Sequence, residues 1–163
     1  MGYLREGVRL LPESPEARCD LGMAYLRLGN PQEAVGHLRE AVRLSPELPE
    51  AHAALGAAYS NLGNPLLAYE HLRTAVRLKP GAAAVLYNLG NASANLGRLE
   101  EAAAHYRAAI GAGPDNAAAH LNLGLTLLKL GRASEARAVW QTLQAIDPER
   151  AQTLQRQLPG AGG

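Results

Sequence analysis

Apolar residues recur at spacings of three and four along most of the chain, in stretches of about a dozen residues. Ala34, Leu38 and Ala41 form one such set; Ala68, Leu72 and Ala75 form the next. That period belongs to an amphipathic helix, because the apolar positions of a strand would alternate. The stretches predict helices near 15–28, 32–44, 49–62, 66–78, 83–96, 100–112, 117–130 and 134–146. The pattern also repeats as a whole. Leu-Gly occurs at Leu21-Gly22, Leu55-Gly56, Leu89-Gly90 and Leu123-Gly124, with a step of 34 residues. Gly29, Gly63, Gly97 and Gly131 follow each pair at one spacing, then Ala34, Ala68, Ala102 and Ala136, then Pro46, Pro80, Pro114 and Pro148. A fixed period of this kind marks a repeat protein, in which each unit buries its apolar face only against its neighbours.

Each column has a physical reason. The glycine inside the first helix of a repeat removes a Cβ where the second helix must come close. The later glycine can take a positive φ and end that helix. Asn30-Pro31 and Asn64-Pro65 supply an N-cap and a proline for the first helical position of the next one. The closing proline stops the second helix. The repeats are thus expected at 15–48, 49–82, 83–116 and 117–150. Residues 1–14 mirror Leu38 to Glu47 and form a half repeat, a second helix without its first. Residues 149–158 read as a capping helix with Ala151, Leu154 and Leu158 inward and Arg150, Gln152, Gln155, Arg156 and Gln157 outward. One domain over 1–158 is expected, with a disordered tail at 159–163.

This frame resembles the tetratricopeptide repeat (TPR) family. Repeat one reads Leu21, Gly22, Tyr25, Ala34, Leu38, Ala41, Pro46, and repeat two reads Leu55, Gly56, Tyr59, Ala68, Leu72, Ala75, Pro80. The resemblance covers about residues 1–158. It implies an all-α fold, a right-handed α-solenoid of antiparallel helix pairs, and a protein or peptide partner held in a concave groove. Two departures stand out. Ser93 and Leu127 replace the tyrosines, while Tyr106 and Trp140 replace Leu38 and Leu72. Large and small exchange places, as a constant core volume requires. Leu143 stands where Ala41, Ala75 and Ala109 stand, which predicts looser packing in the last repeat.

Composition narrows the classes further. The chain has 163 residues, 47% of them hydrophobic but only 4% aromatic, and no Phe. Such a core suits close-packed helices and argues against a β-sandwich. A net charge of +1 gives no pull toward nucleic acid or an anionic membrane. No apolar run approaches the roughly 20 residues of a membrane span. The residues from Met1 to Gly7 lack the form of a signal peptide, so a cytoplasmic location is expected. The single cysteine, Cys19, rules out an internal disulfide framework.

His37, His71 and His105 share one column, and His52 and His120 share another. Equivalent residues of adjacent repeats lie roughly 20 Å apart, two helix layers of about 10 Å, too far for one ligand sphere. The histidines therefore read as partly exposed surface residues, and no metal is expected. No nucleophile–base pattern or glycine-rich phosphate loop occurs, so no catalytic residue and no cofactor are expected. Arg5, Arg39, Arg73 and Arg107, with Arg9, Arg43 and Arg77, form a row along the second helices. Interleaved Glu6 and Glu40, and the absence of interleaved aromatics, make it a solvated face rather than a phosphate track.

The resemblance places a groove on the first helices, around Leu-Gly. There the first two repeats carry Glu16, Asp20, Arg27 and Glu50 with Ala53, Ala54 and Ala57. Further on stand Asn61, Tyr87, Asn88, Asn91, Asn95, Leu121, Asn122 and Leu125, the candidate peptide-binding residues. Asn costs a helix roughly half a kcal/mol against Ala. Its amide donates and accepts at once, which suits a grip on a peptide unit. Asn88 and Asn122 share a column and resemble the asparagine ladder of O-linked N-acetylglucosamine transferase repeats. The cations that carboxylate-clamping TPRs place here are absent, which disfavours an anionic tail as ligand.

Two other readings stay open: a substrate-recruiting part of a larger enzyme such as a glycosyltransferase, and a self-assembling module. Tyr3, Leu4, Val8, Leu10 and Leu11 are short of cover. They predict either a weak homodimer through residues 3–11 or upstream sequence that completes the repeat.

Overall fold

The computed structural model describes residues 2–159. They form ten α-helices and, among the described residues, no strand. In chain order these are α1 (Gly2–Leu10), α2 (Pro15–Arg27), α3 (Pro31–Leu44), α4 (Pro49–Asn61) and α5 (Pro65–Leu78), then α6 (Ala83–Asn95), α7 (Leu99–Ala112), α8 (Ala117–Lys129), α9 (Ala133–Ile146) and α10 (Pro148–Gln155). The fold is an all-α solenoid of helix pairs.

Local chemistry sets the boundaries. Proline opens α2, α3, α4, α5 and α10, where the missing N–H costs nothing. The Ser14 hydroxyl accepts the Ala17 N–H at 3.1 Å, and the Asn64 carbonyl accepts the Leu67 N–H at 3.4 Å. Asn30, expected to cap in the same way, makes no side-chain cap bond. The first helices turn at Gly29, Gly63, Gly97 and Gly131, with φ of 73°, 70°, 74° and 74°. A side chain there would be strained. The second helices stop at Leu44, Leu78, Ala112 and Ile146, two residues before each closing proline. The capping helix ends at Gln155 rather than 158, and a turn brings Leu158 back to a buried position. Most of the expected disordered tail, 160–163, lies outside the described residues.

The chain divides into two compact units, one up to Pro80 and one from Gly81 onward. In the first, α2 pairs with α3 and α4 with α5, while α1 lies on α2. Its core holds Cys19, Ala34, Leu38, Ala41, Ala51, Leu55 and Ala58. In the second, α6 pairs with α7 and α8 with α9, and α10 closes on α8 and α9. Its core holds Ala102, Ala103, Tyr106, Leu123, Leu127 and Ala136.

The Leu-Gly glycine is a notch for the partner helix. A Cβ on Gly22 would lie 2.5 Å from Leu38 Cγ, and one on Gly56 would lie 2.5 Å from Leu72 Cγ. At Gly90 the notch receives the ring of Tyr106, 2.6 Å from such a Cβ. Tyr106 and Ser93 are both fully buried, so the exchange of large for small holds in the third repeat. It fails in the fourth. There Leu154 of α10 enters the notch of Gly124, and Trp140 is only partly buried, with its indole N–H shielded and unpaired among the described residues. Leu143 does not loosen the last repeat. It is fully buried against Ala151 and Leu154, because α10 meets the extra methylenes.

Candidate functional site

The α6–α8 face carries most of the candidate peptide-binding residues. The Asn122 amide donates to Asn91 Oδ1 at 2.9 Å and to the Tyr87 hydroxyl at 3.3 Å. The Tyr106 hydroxyl, from α7, donates to the same Asn91 oxygen at 2.8 Å. Asn91 thus uses both lone pairs of its carbonyl. The Tyr87 and Tyr106 rings pack tilted, 6.0 Å between centroids. Burial pushes the Tyr106 phenol up to about 12, against the Asn122 amide, which opposes the rise, and with a smaller push from Tyr87. It is a fixed neutral donor at physiological pH.

The structure thus joins Tyr87, Asn91 and Asn122. Asn88 is half-buried beside them and makes no hydrogen bond with a described residue. It does not meet Asn122, whose amide turns to Asn91 and Tyr87. Asn95 is exposed at the last turn of α6. Leu121 and Leu125 are half-buried and pack on the Leu143, Ala151 and Leu154 cluster. Asn61 is exposed at the end of α4, in the other unit. Tyr106 anchors the cluster yet was not among the candidates, since it stands in a second-helix column.

The corresponding face of the N-terminal unit, α2–α4, is built differently. Glu16, Cys19, Asp20 and Met23 of α2, with Leu48 and Glu50, line a pocket of about 190 Å³. Glu16 accepts the Ser14 hydroxyl at 3.0 Å. Lys79 donates to Glu50 at 3.0 Å and holds its carboxyl below the usual range. Cys19 is 3% exposed. Burial first, then the charges of Asp20, Glu50 and Glu16, push its thiol up to about 11. The sequence placed the three carboxylates on this face but not the pocket between them.

The histidines need a correction. His52 and His120 are 7% and 5% exposed, not surface residues. His120 donates from Nδ1 to the Asn116 carbonyl at 3.0 Å. His52 Nδ1 lies 3.1 Å from His71 Nδ1. Comparing like columns missed this contact, because it joins a first-helix column to a second-helix column within one repeat. The matching pairs are Arg18 with His37, Leu86 with His105 and His120 with Val139, so repeat two alone has histidine at both positions.

Hydrogen bonding fixes the tautomers of this pair. His52 Nε2 lies 2.9 Å from the Pro46 carbonyl, which can only accept. Nε2 therefore carries the hydrogen, Nδ1 is bare, and His71 donates from its own Nδ1. The ring centroids are 5.3 Å apart, close to the largest value that the 3.1 Å nitrogen separation allows. The nitrogens thus face head-on, as in a hydrogen bond, and do not converge on a common metal position. Tyr59 stacks on His71 at 5.6 Å. Burial holds His71 below the ordinary imidazole range; His52 and Arg39 add to this and Glu70 opposes it.

On the second helices, Arg9 pairs with Glu6, Arg43 with Glu40, Arg73 with Glu70 and Arg107 with Glu135. Those arginines are matched, as a solvated face requires. On α1, Tyr3 and Leu10 are exposed, as is Leu11 just after it, while Leu4 and Val8 are half-buried. Among the described residues, no helix is long and apolar enough to cross a membrane.

Three family models described as Tetratricopeptide repeat match residues 15–48, 50–117 and 96–158. The chain belongs to the tetratricopeptide repeat family. No curated protein matches it in sequence. Among solved structures, MamA from Desulfovibrio magneticus RS-1 superposes with a TM-score of 0.82 at 24% identity, covering 90% of this chain and 83% of that one. YrrB, described as a TPR protein with an unusual peptide-binding site, gives 0.83 at 24% identity, covering 95% and 81%. PilF from Pseudomonas aeruginosa gives 0.72 at 25% identity, covering 93% and 78%. These likenesses bear on the fold.

Proposed function

We propose that the chain is a protein–protein interaction scaffold, not an enzyme, and that its α6–α8 face holds an extended peptide segment of a partner. Asn88 carries this reading. It is half-buried inside a helix and its amide has no partner among the described residues. Asn is costly in a helix, and the Asn88 amide, which is not sealed from solvent, keeps its donor and acceptor capacity for a ligand. A peptide unit seated there would supply both an acceptor and a donor. The Asn91–Asn122 pair and Tyr87 fix the neighbouring polar groups in place. Leu121 and Leu125 offer an apolar wall, and Asn95 extends the polar edge. Asn61 shares the Asn95 column and has the same role in its own unit. The peptide-binding description of YrrB, on the same fold, supports the reading.

The test is a random peptide display library selected on the whole chain. Asn88→Ala should weaken the selected peptides by roughly 1–3 kcal/mol, with the urea midpoint level or raised. Unchanged affinity would move the peptide off this face.

A second reading, weak self-association through residues 3–11, has the exposure of Tyr3, Leu10 and Leu11 behind it. Light scattering across a concentration series tests it, with Leu10→Glu expected to dissolve any dimer. A monomer at every concentration would sink it.

A further inference from the structure

We infer that the α2–α4 pocket receives a lysine or arginine side chain of a partner segment, its aliphatic stem on the pocket floor and its charged head among the carboxylates at the rim. This rests on the scaffold reading above. The floor is apolar, made by Cys19, Met23 and Leu48, while Glu16, Asp20 and Glu50 stand at the rim. Its volume of about 190 Å³ admits one long side chain rather than a helix.

The occupant follows from charge and shape together. A purely apolar side chain would fill the floor but would take water from the carboxylates with nothing in exchange. An anion would be repelled. A long cationic side chain satisfies both zones, since its methylene stem covers apolar surface while its head stays polar. The fold already draws one ammonium to the rim, that of Lys79 on Glu50. Among the described residues, Glu16 is engaged only by the Ser14 hydroxyl. Asp20 makes no hydrogen bond or ion pair with a described residue, so a carboxylate remains open to an incoming cation. Burial is the main cause of the raised Cys19 thiol, and the charges of Asp20, Glu50 and Glu16 add to it, as carboxylates close to the floor would. The positions of the other unit that match Glu16, Asp20 and Glu50 hold Ala84, Asn88 and Ala118, all uncharged, so the cation preference is local to this pocket.

The library selection is run in parallel on the whole natural chain and on its Glu16→Gln/Asp20→Asn variant. Both positions are exposed on α2, and circular dichroism checks that the variant folds. The natural chain should enrich a lysine or arginine flanked by apolar residues. Its peptides should bind the variant about tenfold more weakly, the scale of a charge-assisted hydrogen bond. Replacing the selected cation with norleucine should give the same loss without touching the protein. Peptides with no cation enrichment, or equal affinity for the norleucine form, would overturn this inference and leave the scaffold reading standing. A library that yields no peptide on either chain would overturn the scaffold reading, and this one with it.

Discussion

The α2–α4 and α6–α8 faces share one backbone frame but differ in what fills two columns. In the N-terminal unit these columns hold Cys19 and Asp20, then Ala53 and Ala54. In the C-terminal unit they hold Tyr87 and Asn88, then Leu121 and Asn122. Small residues leave a pocket with carboxylates at its rim. Large ones fill the space, and an amide–phenol network then ties α6 to α8 and α7. The repeat thus decides where a face lies, and side-chain size at two positions decides whether it is a hole or a hydrogen-bonded surface.

The largest test of the comparison concerns the notches. Gly56→Ala would drive a Cβ to 2.5 Å from the branch point of Leu72, a fully buried residue in the middle of α5. We expect a loss of about 1–3 kcal/mol from overpacking, despite the better helix propensity of Ala, worth about 1 kcal/mol. Gly124→Ala meets Leu154 instead, on the eight-residue α10. That helix can give way, so the loss should be smaller. Urea unfolding of the two variants decides, and equal losses would show α10 to be held as firmly as α5.

A finer test separates two asparagines that share a column. Asn122→Ala removes donors from Asn91 and Tyr87, at an expected cost of about 1–2 kcal/mol. Asn88→Ala breaks no bond and should gain about half a kcal/mol from helix propensity. Matching midpoints for the two variants would mean that the network contributes nothing to stability.

The smallest effect is one of pH. His71 is held below its ordinary value of 6.5, so the unfolded chain binds the proton more readily than the folded one. Its contribution is therefore fully present above about 6.5 and is lost as pH falls through the lowered folded value. His37, in the same unit, and His105, in the other, shift the same way, each mainly through burial. His71→Gln should flatten the acid-side loss of protection of α4 and α5 amides in hydrogen exchange. An unchanged slope would assign that loss to other groups.

What could be read in advance follows from what a repeat encodes. The turn glycines, the closing prolines and the notches are local requirements at fixed spacing, so they stood in plain view. The exchange of Ser93 for Tyr106 was also legible, since both lie in columns that meet within one repeat. Trp140 was not, because the side chain that took its place, Leu154, comes from outside the repeat frame. The His52–His71 contact crosses between columns, and a comparison of equivalent positions cannot detect it. The candidate asparagines were visible as residue types. Their bonding was not, since it depends on rotamers and on a phenol from α7.

Cys19 has a practical consequence. It is the chain's one thiol, buried, with its ionisation pushed up to about 11. Alkylating reagents attack the thiolate, so near neutral pH the native cysteine is chemically silent. Modification must wait for α2 to open, and its rate then counts local openings of the N-terminal unit at a single atom. A cysteine introduced at an exposed position would react alone, which lets either face carry a spectroscopic label with the native thiol left in place.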